Sequence, residues 1–163
     1  KGDLDDPREQ AADIAGVLGA LKGVRPARRE VAEHTAPPKK YRSTFLRENE
    51  ARGGHVLEKH VGKTDQELLE RLKREPHLRE VSTFADEATA EQVIKAAIAK
   101  HEDRIRKWLM ASGNADLQID YSSSELLGRT LSRNTGTAQE RKNAFVLLRK
   151  ATNGYYVHTA YVR

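Results

Sequence analysis

Residues 144–162 read AFVLLRKATNGYYVHTAYV. Two runs rich in β-branched and aromatic residues flank Thr152-Asn153-Gly154, which has the chemistry of a tight turn, so the stretch predicts an antiparallel hairpin. Strand alternation puts Tyr155, Val157, Thr159 and Tyr161 on one face and Tyr156, His158, Ala160 and Val162 on the other. Thr159 and Tyr161 can then serve one site together, whereas His158 points away unless a bulge intervenes. Leu117 to Tyr121 and Leu126 to Leu131 are also short and β-rich. Upstream of Gly113 the period is helical. Thr64 and Glu67 form a capping box ahead of the apolar stripe Leu68, Leu69 and Leu72, which ends near Pro76, with Arg71 on its flank. Thr89 and Gln92 repeat the capping pattern ahead of Val93, Ile94, Ala97, Ile98, Ile105, Trp108 and Leu109. His101, on this second helix, has no metal-type residue at ligand spacing and reads as a surface or partly buried histidine. The fold class is α+β, with N-terminal helices packed on a C-terminal antiparallel β-sheet.

The first third of the chain is different in character. Ala11, Ile14, Val17, Leu18 and Leu21 keep helical spacing, but Gly16, Gly19 and Gly23 weaken that helix. Pro37 and Pro38, then Lys39, Lys40, Arg42, Arg47 and Arg52, lead to Gly53-Gly54 and read as a linker. The predicted boundary lies near residue 50. Residues 1–50 are then a partly helical linker or the remnant of an entry segment, and residues 51–163 a folded domain. A first residue that is Lys1 instead of Met suggests a piece of a longer protein.

With 163 residues, 37% apolar and 6% aromatic, the chain suits one compact domain with an appendage. No cysteine is present, which excludes disulfides, thiolate metal sites and Cys nucleophiles. There is no run of 18 apolar residues of the kind that spans a membrane, and no signal peptide is visible. The net charge is +5. Residues 1–50 hold 10 Lys and Arg against 9 Asp and Glu, residues 51–124 hold 12 against 13, and residues 125–163 hold 7 against 2. The excess therefore sits at the C-terminal end, which favours a phosphate-binding face there.

Residues 53–72 read GGHVLEKHVGKTDQELLERL. Together with the Tyr, His, Thr and Tyr of the C-terminal strand, they supply a proton carrier, cations and hydroxyl donors, which are the parts of a metal-free nuclease. His55 and His60 are five apart, a spacing that suits one face of neither a helix nor a strand, so no shared metal site is expected. No HExxH, P-loop or GxSxG motif is present.

The run 53–72, followed in order by STFADEATAEQVI (82–94), LLGRTLSR (126–133), AFVLLRK (144–150) and GYYVHTAYV (154–162), resembles the bacterial RNase A-like toxin domain found at the C-termini of contact-dependent growth inhibition proteins and other polymorphic toxins. The resemblance covers roughly residues 53–163 and implies an RNase A-like fold. It implies a catalytic set of His60, Arg71, Thr159 and Tyr161, with His55 at a further recurring position. The pattern departs from vertebrate RNase A, which uses two histidines, a lysine and disulfides, so the general acid stays open.

The activity so implied is metal-independent, cofactor-free cleavage of RNA, tRNA among the candidates, by attack of the ribose 2′-OH on the adjacent phosphate. An imidazole titrating near neutrality suits the proton transfer, a guanidinium the charge on phosphorane oxygens. His60 and Arg71 are the candidates for these roles. Thr159 would bond the phosphate; Tyr161 would orient it or donate the second proton. Lys59, Lys63, Arg129 and Arg133, with Arg149 and Lys150, are candidate contacts to flanking phosphates, or ordinary surface charges. The implied setting is a larger exported toxin acting in the cytoplasm of a target bacterium and neutralised by an acidic cognate immunity protein. Two other readings compete, an ADP-ribosyltransferase-type toxin and a non-catalytic RNA-binding module.

Overall fold

The computed structural model describes residues 40–163, and the expected helix over 7–24 and the Pro37-Pro38 linker lie outside them. A compact unit begins at Tyr41. Its first helix, α1 (Thr44–Ala51), occupies the stretch that sequence composition assigned to the linker, so the boundary near residue 50 falls inside a packed element. Burial explains the difference. Leu46 is fully buried, the Ser43 hydroxyl caps the Leu46 N–H at 3.0 Å, and Arg47 pairs with Glu87 through two contacts of 2.8 Å. Two of the charges that suggested a linker, Arg47 and Arg52, join this helix to Glu87 and to Tyr155 O.

A one-turn helix, α2 (Val56–His60), leads into α3 (Asp65–Arg74), where the capping box is present as expected: Glu67 N–H donates to Thr64 Oγ1 and Thr64 N–H to Glu67 Oε2. Leu68 and Leu72 are buried and Leu69 is partly exposed, so the stripe is narrower than its sequence. The long second helix is two helices, α4 (Glu87–Lys100) and α5 (Glu102–Met110), parted at His101, whose Nε2 bonds Asp120 O at 2.9 Å. The first of these is capped by Asp86, three residues before the expected cap at Thr89, because its carboxylate accepts the Thr89 N–H at 2.7 Å. No helix among the described residues is long and apolar enough to cross a membrane.

Among the described residues six strands form two antiparallel three-stranded sheets: β1 (Glu80–Phe84), β3 (Gly128–Ser132) and β4 (Ala138–Arg141) in order 1-3-4, and β2 (Leu117–Ser122), β5 (Asn143–Ala151) and β6 (Gly154–Val162) in order 2-5-6. Strands β5 and β6 are the expected hairpin. The larger core packs α1, α2, α4 and α5 against the second sheet through Leu46, Val56, Ile94, Ile119, Val146 and Val157, and a smaller one joins α3 to β1 and β3 through Leu68, Leu72, Val81 and Leu131. Gly128 allows β1 and β3 to close, since a Cβ there would lie 2.0 Å from Thr83 O. Helices packed with antiparallel sheets match the expected α+β class, with β1 placed between α3 and α4 in the chain.

The alternation expected for β6 does not hold along its whole length. Leu147 faces Thr159 while Leu148 faces Val157, so His158 is an extra residue, a β-bulge. Tyr155 and Val157 before it and Ala160 and Val162 after it pack on the larger core, while Thr159 and Tyr161 face the other way. The extra residue resets the alternation, so Val157 does not share a face with Thr159.

Candidate active site

Two constraints set the path of the chain into the site. Gly54 passes so close to β6 that a Cβ would lie 2.4 Å from Val157 O and 2.9 Å from Asn49 O. The next residue, His55, donates its N–H to His158 O at 3.0 Å, so the start of α2 hangs on the bulge. At the far end of α2, Val61 forms a parallel bridge to Phe84, Gly62 N–H reaches Phe84 O at 3.0 Å and Lys63 N–H reaches Thr83 Oγ1 at 2.9 Å. His60 is thereby carried under the surface between α2 and β1, with 8% of its area exposed.

A cavity of about 350 Å³ opens where α2, α3, β1 and β6 meet, and His55, His60, Arg71, Thr159 and Tyr161 all line it. The five residues are drawn from three separate elements and from both ends of the unit. Arg71 Nη1 donates to Lys59 O at 3.3 Å and its Nε to Glu75 Oε1 at 3.3 Å, which fixes the guanidinium at the cavity wall. The Tyr161 ring lies 4.8 Å from Phe145, its cross-strand partner, and 5.6 Å from His60. Among the described residues the buried side-chain polar atoms without a partner are His60 Nδ1, Thr159 Oγ1 and His158 Nδ1. The first two belong to residues that line the cavity, where each unpartnered buried atom costs roughly 1–3 kcal/mol.

Burial pushes the His60 imidazole down to about 3, and the Arg71 guanidinium and His55 add to the effect. This corrects the expectation of a ring titrating near neutrality, because so enclosed a site disfavours the cation. His55 is also lowered, first by burial and then by Lys59 and His158. The sign has a consequence for stability. Below the ordinary histidine value of 6.5 the unfolded chain takes up a proton that the folded His60 refuses until about 3, so stability is full above 6.5 and declines as pH falls through that window. Chemical denaturation should show a loss of about 2 kcal/mol from this group between pH 6.5 and 5, and His60→Gln should flatten that part of the profile.

The candidate phosphate contacts divide. Lys59 and Lys63 line an adjoining groove of about 500 Å³ that shares Arg71 with the cavity, where Arg74 and the carboxylates Glu58, Glu67, Glu70 and Glu75 also lie. Arg129 and Arg133 line neither and are occupied by the protein. Arg129 bonds Asp65 and Lys63 O at 2.7 Å each, while Arg133 gathers the carbonyls of Leu72, Glu75 and Leu78 at the end of α3. Arg149 grips Asp116 with two bonds, Lys150 holds Ala111 O and Gly113 O, Arg141 contacts Thr130, and Arg163 pairs with Asp120. Six of the seven C-terminal cations thus make ties within the domain, and one of the six, Arg163, also lines the cavity. Arg133→Ala should lower stability by about 1.5–3 kcal/mol by leaving the α3 carbonyls uncovered, with the salt dependence of RNA binding unchanged; a shallower salt slope would restore Arg133 as a phosphate contact.

Sequence alternation excluded His158, yet the bulge brings its ring edge-on to His55 at 4.8 Å. Ser82, Glu80 and Arg163 also line the cavity, and no motif singled them out. Their common signal is position: the first two lie on β1, which sequence periodicity did not reveal, and the third is the last residue.

An α+β unit with a histidine, an arginine and a Thr-x-Tyr strand converging on one cavity is the RNase A-like architecture that the sequence resembles. The chain belongs to the bacterial CdiA-CT RNAse A domain family, whose model matches residues 54–161. It is therefore a C-terminal toxin domain of the contact-dependent growth inhibition type. It is similar to a chain in the crystal structure of the CdiA-CT/CdiI complex from Y. kristensenii 33638, at 33% identity and a TM-score of 0.63, over 68% of this chain and 99% of that one. No curated protein matches the sequence.

Proposed function

We propose that the domain cleaves RNA without a metal ion, using the ribose 2′-OH as nucleophile. The observation that carries this reading is the convergence of His60, Arg71, Thr159 and Tyr161 on one cavity, with His60 Nδ1 and Thr159 Oγ1 buried and unpartnered. The 2′-oxygen attacks phosphorus and yields its proton to His60; the P–O5′ bond breaks, leaving a 2′,3′-cyclic phosphate, and the departing oxygen takes a proton from a second carrier. His60 is neutral at pH 7, the protonation state that a base requires. Its weak basicity in the free domain is offset as the phosphate anion arrives, because a nearby negative charge favours the imidazolium. Arg71 stabilises the charge that builds on the phosphorane oxygens, Thr159 Oγ1 donates to one of them, and Tyr161, backed by Phe145, orients the group.

A cognate immunity protein neutralises the activity in this reading, which draws support from the CdiA-CT/CdiI complex to which the chain is similar. The groove beside the cavity combines four cations with four carboxylates. An inhibitor seated there needs both signs of charge, beyond the acidity expected from net charge alone. The setting proposed is a larger exported toxin acting in the cytoplasm of its target.

The test is incubation of the purified chain with total bacterial RNA in EDTA and without NAD, followed by end-group analysis of the fragments. Cyclic 2′,3′-phosphate ends are expected. Cleavage only after Mg²⁺ is restored would overturn the metal-free mechanism, and modification only with NAD would favour a transferase.

A further inference from the structure

The second proton carrier can be sought among the groups that share the cavity with His60. His55 lines the same cavity, and its ring centroid lies 6.2 Å from that of His60, so two oxygens of one phosphate can each reach one imidazole. An acid and a base acting on opposite oxygens of the same phosphorus need this kind of arrangement. Tyr161 is placed differently, since its ring is packed against Phe145 on one side and lies near His60 on the other.

What holds His55 in position is His158. The bulge carbonyl accepts the His55 N–H at 3.0 Å, and the two rings meet edge to face at 4.8 Å and 83°. The Tyr156 ring also meets the His158 ring edge to face, at 6.2 Å. His158 Nδ1 is itself buried and unpartnered. In a regular strand the residue before Thr159 would face the core; the extra residue in β6 puts an imidazole against His55 without displacing either Val157 or Thr159. The charged groups around His55 are Lys59 and Arg71, which like the neighbouring His158 disfavour its cation, and Glu58, which favours it. A bound phosphate tips that balance toward the cation needed in an acid.

Resting on the ribonuclease reading, we propose that His55 is the general acid that protonates the leaving 5′-oxygen and that His158 is the positioning residue that holds its ring there. In the step, the O2′–P bond forms as the P–O5′ bond breaks, one proton passes from the 2′-OH to His60, and another passes from His55 to O5′. Water then exchanges the two protons back.

The experiment compares two substrates that differ only in the leaving group: an RNA dinucleotide, whose alkoxide must be protonated, and a ribonucleoside 3′-(p-nitrophenyl phosphate), whose phenolate leaves without help. His55→Ala should lower cleavage of the dinucleotide by about 100-fold or more, and that of the aryl ester at least tenfold less. His55→Asn repeats the comparison if the alanine variant does not fold. His158→Ala should show the same asymmetry at about tenfold, and His158→Phe, which keeps a ring edge against His55, should recover most of it. Equal losses on both substrates, or no loss on RNA, would overturn the assignment to His55; equal losses for His158→Ala, or no recovery in His158→Phe, would overturn the positioning role. Failure of the ribonuclease reading looks different: the wild-type chain would then cleave neither substrate.

Discussion

Replacing His60 with alanine should reduce RNA cleavage by about a thousandfold or more, while RNA binding changes little. The ring is the one group at the cavity floor whose nitrogen is buried, unpartnered and neutral, and general base catalysis commonly contributes 10²–10⁴ to rate. Its loss also removes the ring against which Tyr161 is set. Fold is not expected to fail, because the deleted atoms border an existing cavity, and the variant should tolerate acid better than the wild type by the sign worked out above. The measurement is single-turnover cleavage of a labelled RNA beside a binding isotherm. Activity within tenfold of the wild type would remove His60 from the mechanism.

Arg71→Ala should cost about 10²–10³ in cleavage rate, the range found when one preorganised donor to a developing oxyanion is removed. Arg71→Lys should recover little of it. The guanidinium is anchored from two directions, by Glu75 Oε1 and by the Lys59 carbonyl, and still faces both the cavity and its adjoining groove. A lysine amine is a single point donor and cannot hold the anchors and the phosphate together. The arginine also depresses the His60 imidazole, second only to burial, so its removal should raise the His60 titration midpoint in the Ala variant. A Lys variant with wild-type kcat would show that charge alone suffices.

Most of what could be read in the sequence was locally encoded. The Thr64–Glu67 box and the Thr152-Asn153-Gly154 turn each declare themselves within a few residues, and both stand in the structure where they were expected. The family resemblance named His60, Arg71, Thr159 and Tyr161, and all four face one cavity. What stayed hidden depends on partners far away in the chain. Helix α1 looked like a linker because Glu87, which neutralises Arg47, lies 40 residues on. The ties of Arg129 and Arg133 were out of view for the same reason, since Asp65 and the carbonyls at the end of α3 are more than 50 residues away. Strand β1 carries buried polar Ser82 and Thr83 amid Val81 and Phe84, so no clean alternation marks it. The bulge was invisible for a different reason: alternation is counted on an uninterrupted strand, and one extra residue shifts every later position to the opposite face.

That extra residue also makes β6 tolerant of a change that strands rarely survive. Removing one residue from a half-buried strand normally turns everything beyond it inside out. In β6, excision of His158 would instead leave Val157, Thr159, Ala160, Tyr161 and Val162 in simple alternation, each still facing the side it faces now, with Leu147 and Leu148 opposite Thr159 and Val157 as before. The imidazole is in effect a spare part of the strand, dispensable to its spatial reading frame, and a single-codon deletion could remove it while keeping Thr159 and Tyr161 at the cavity.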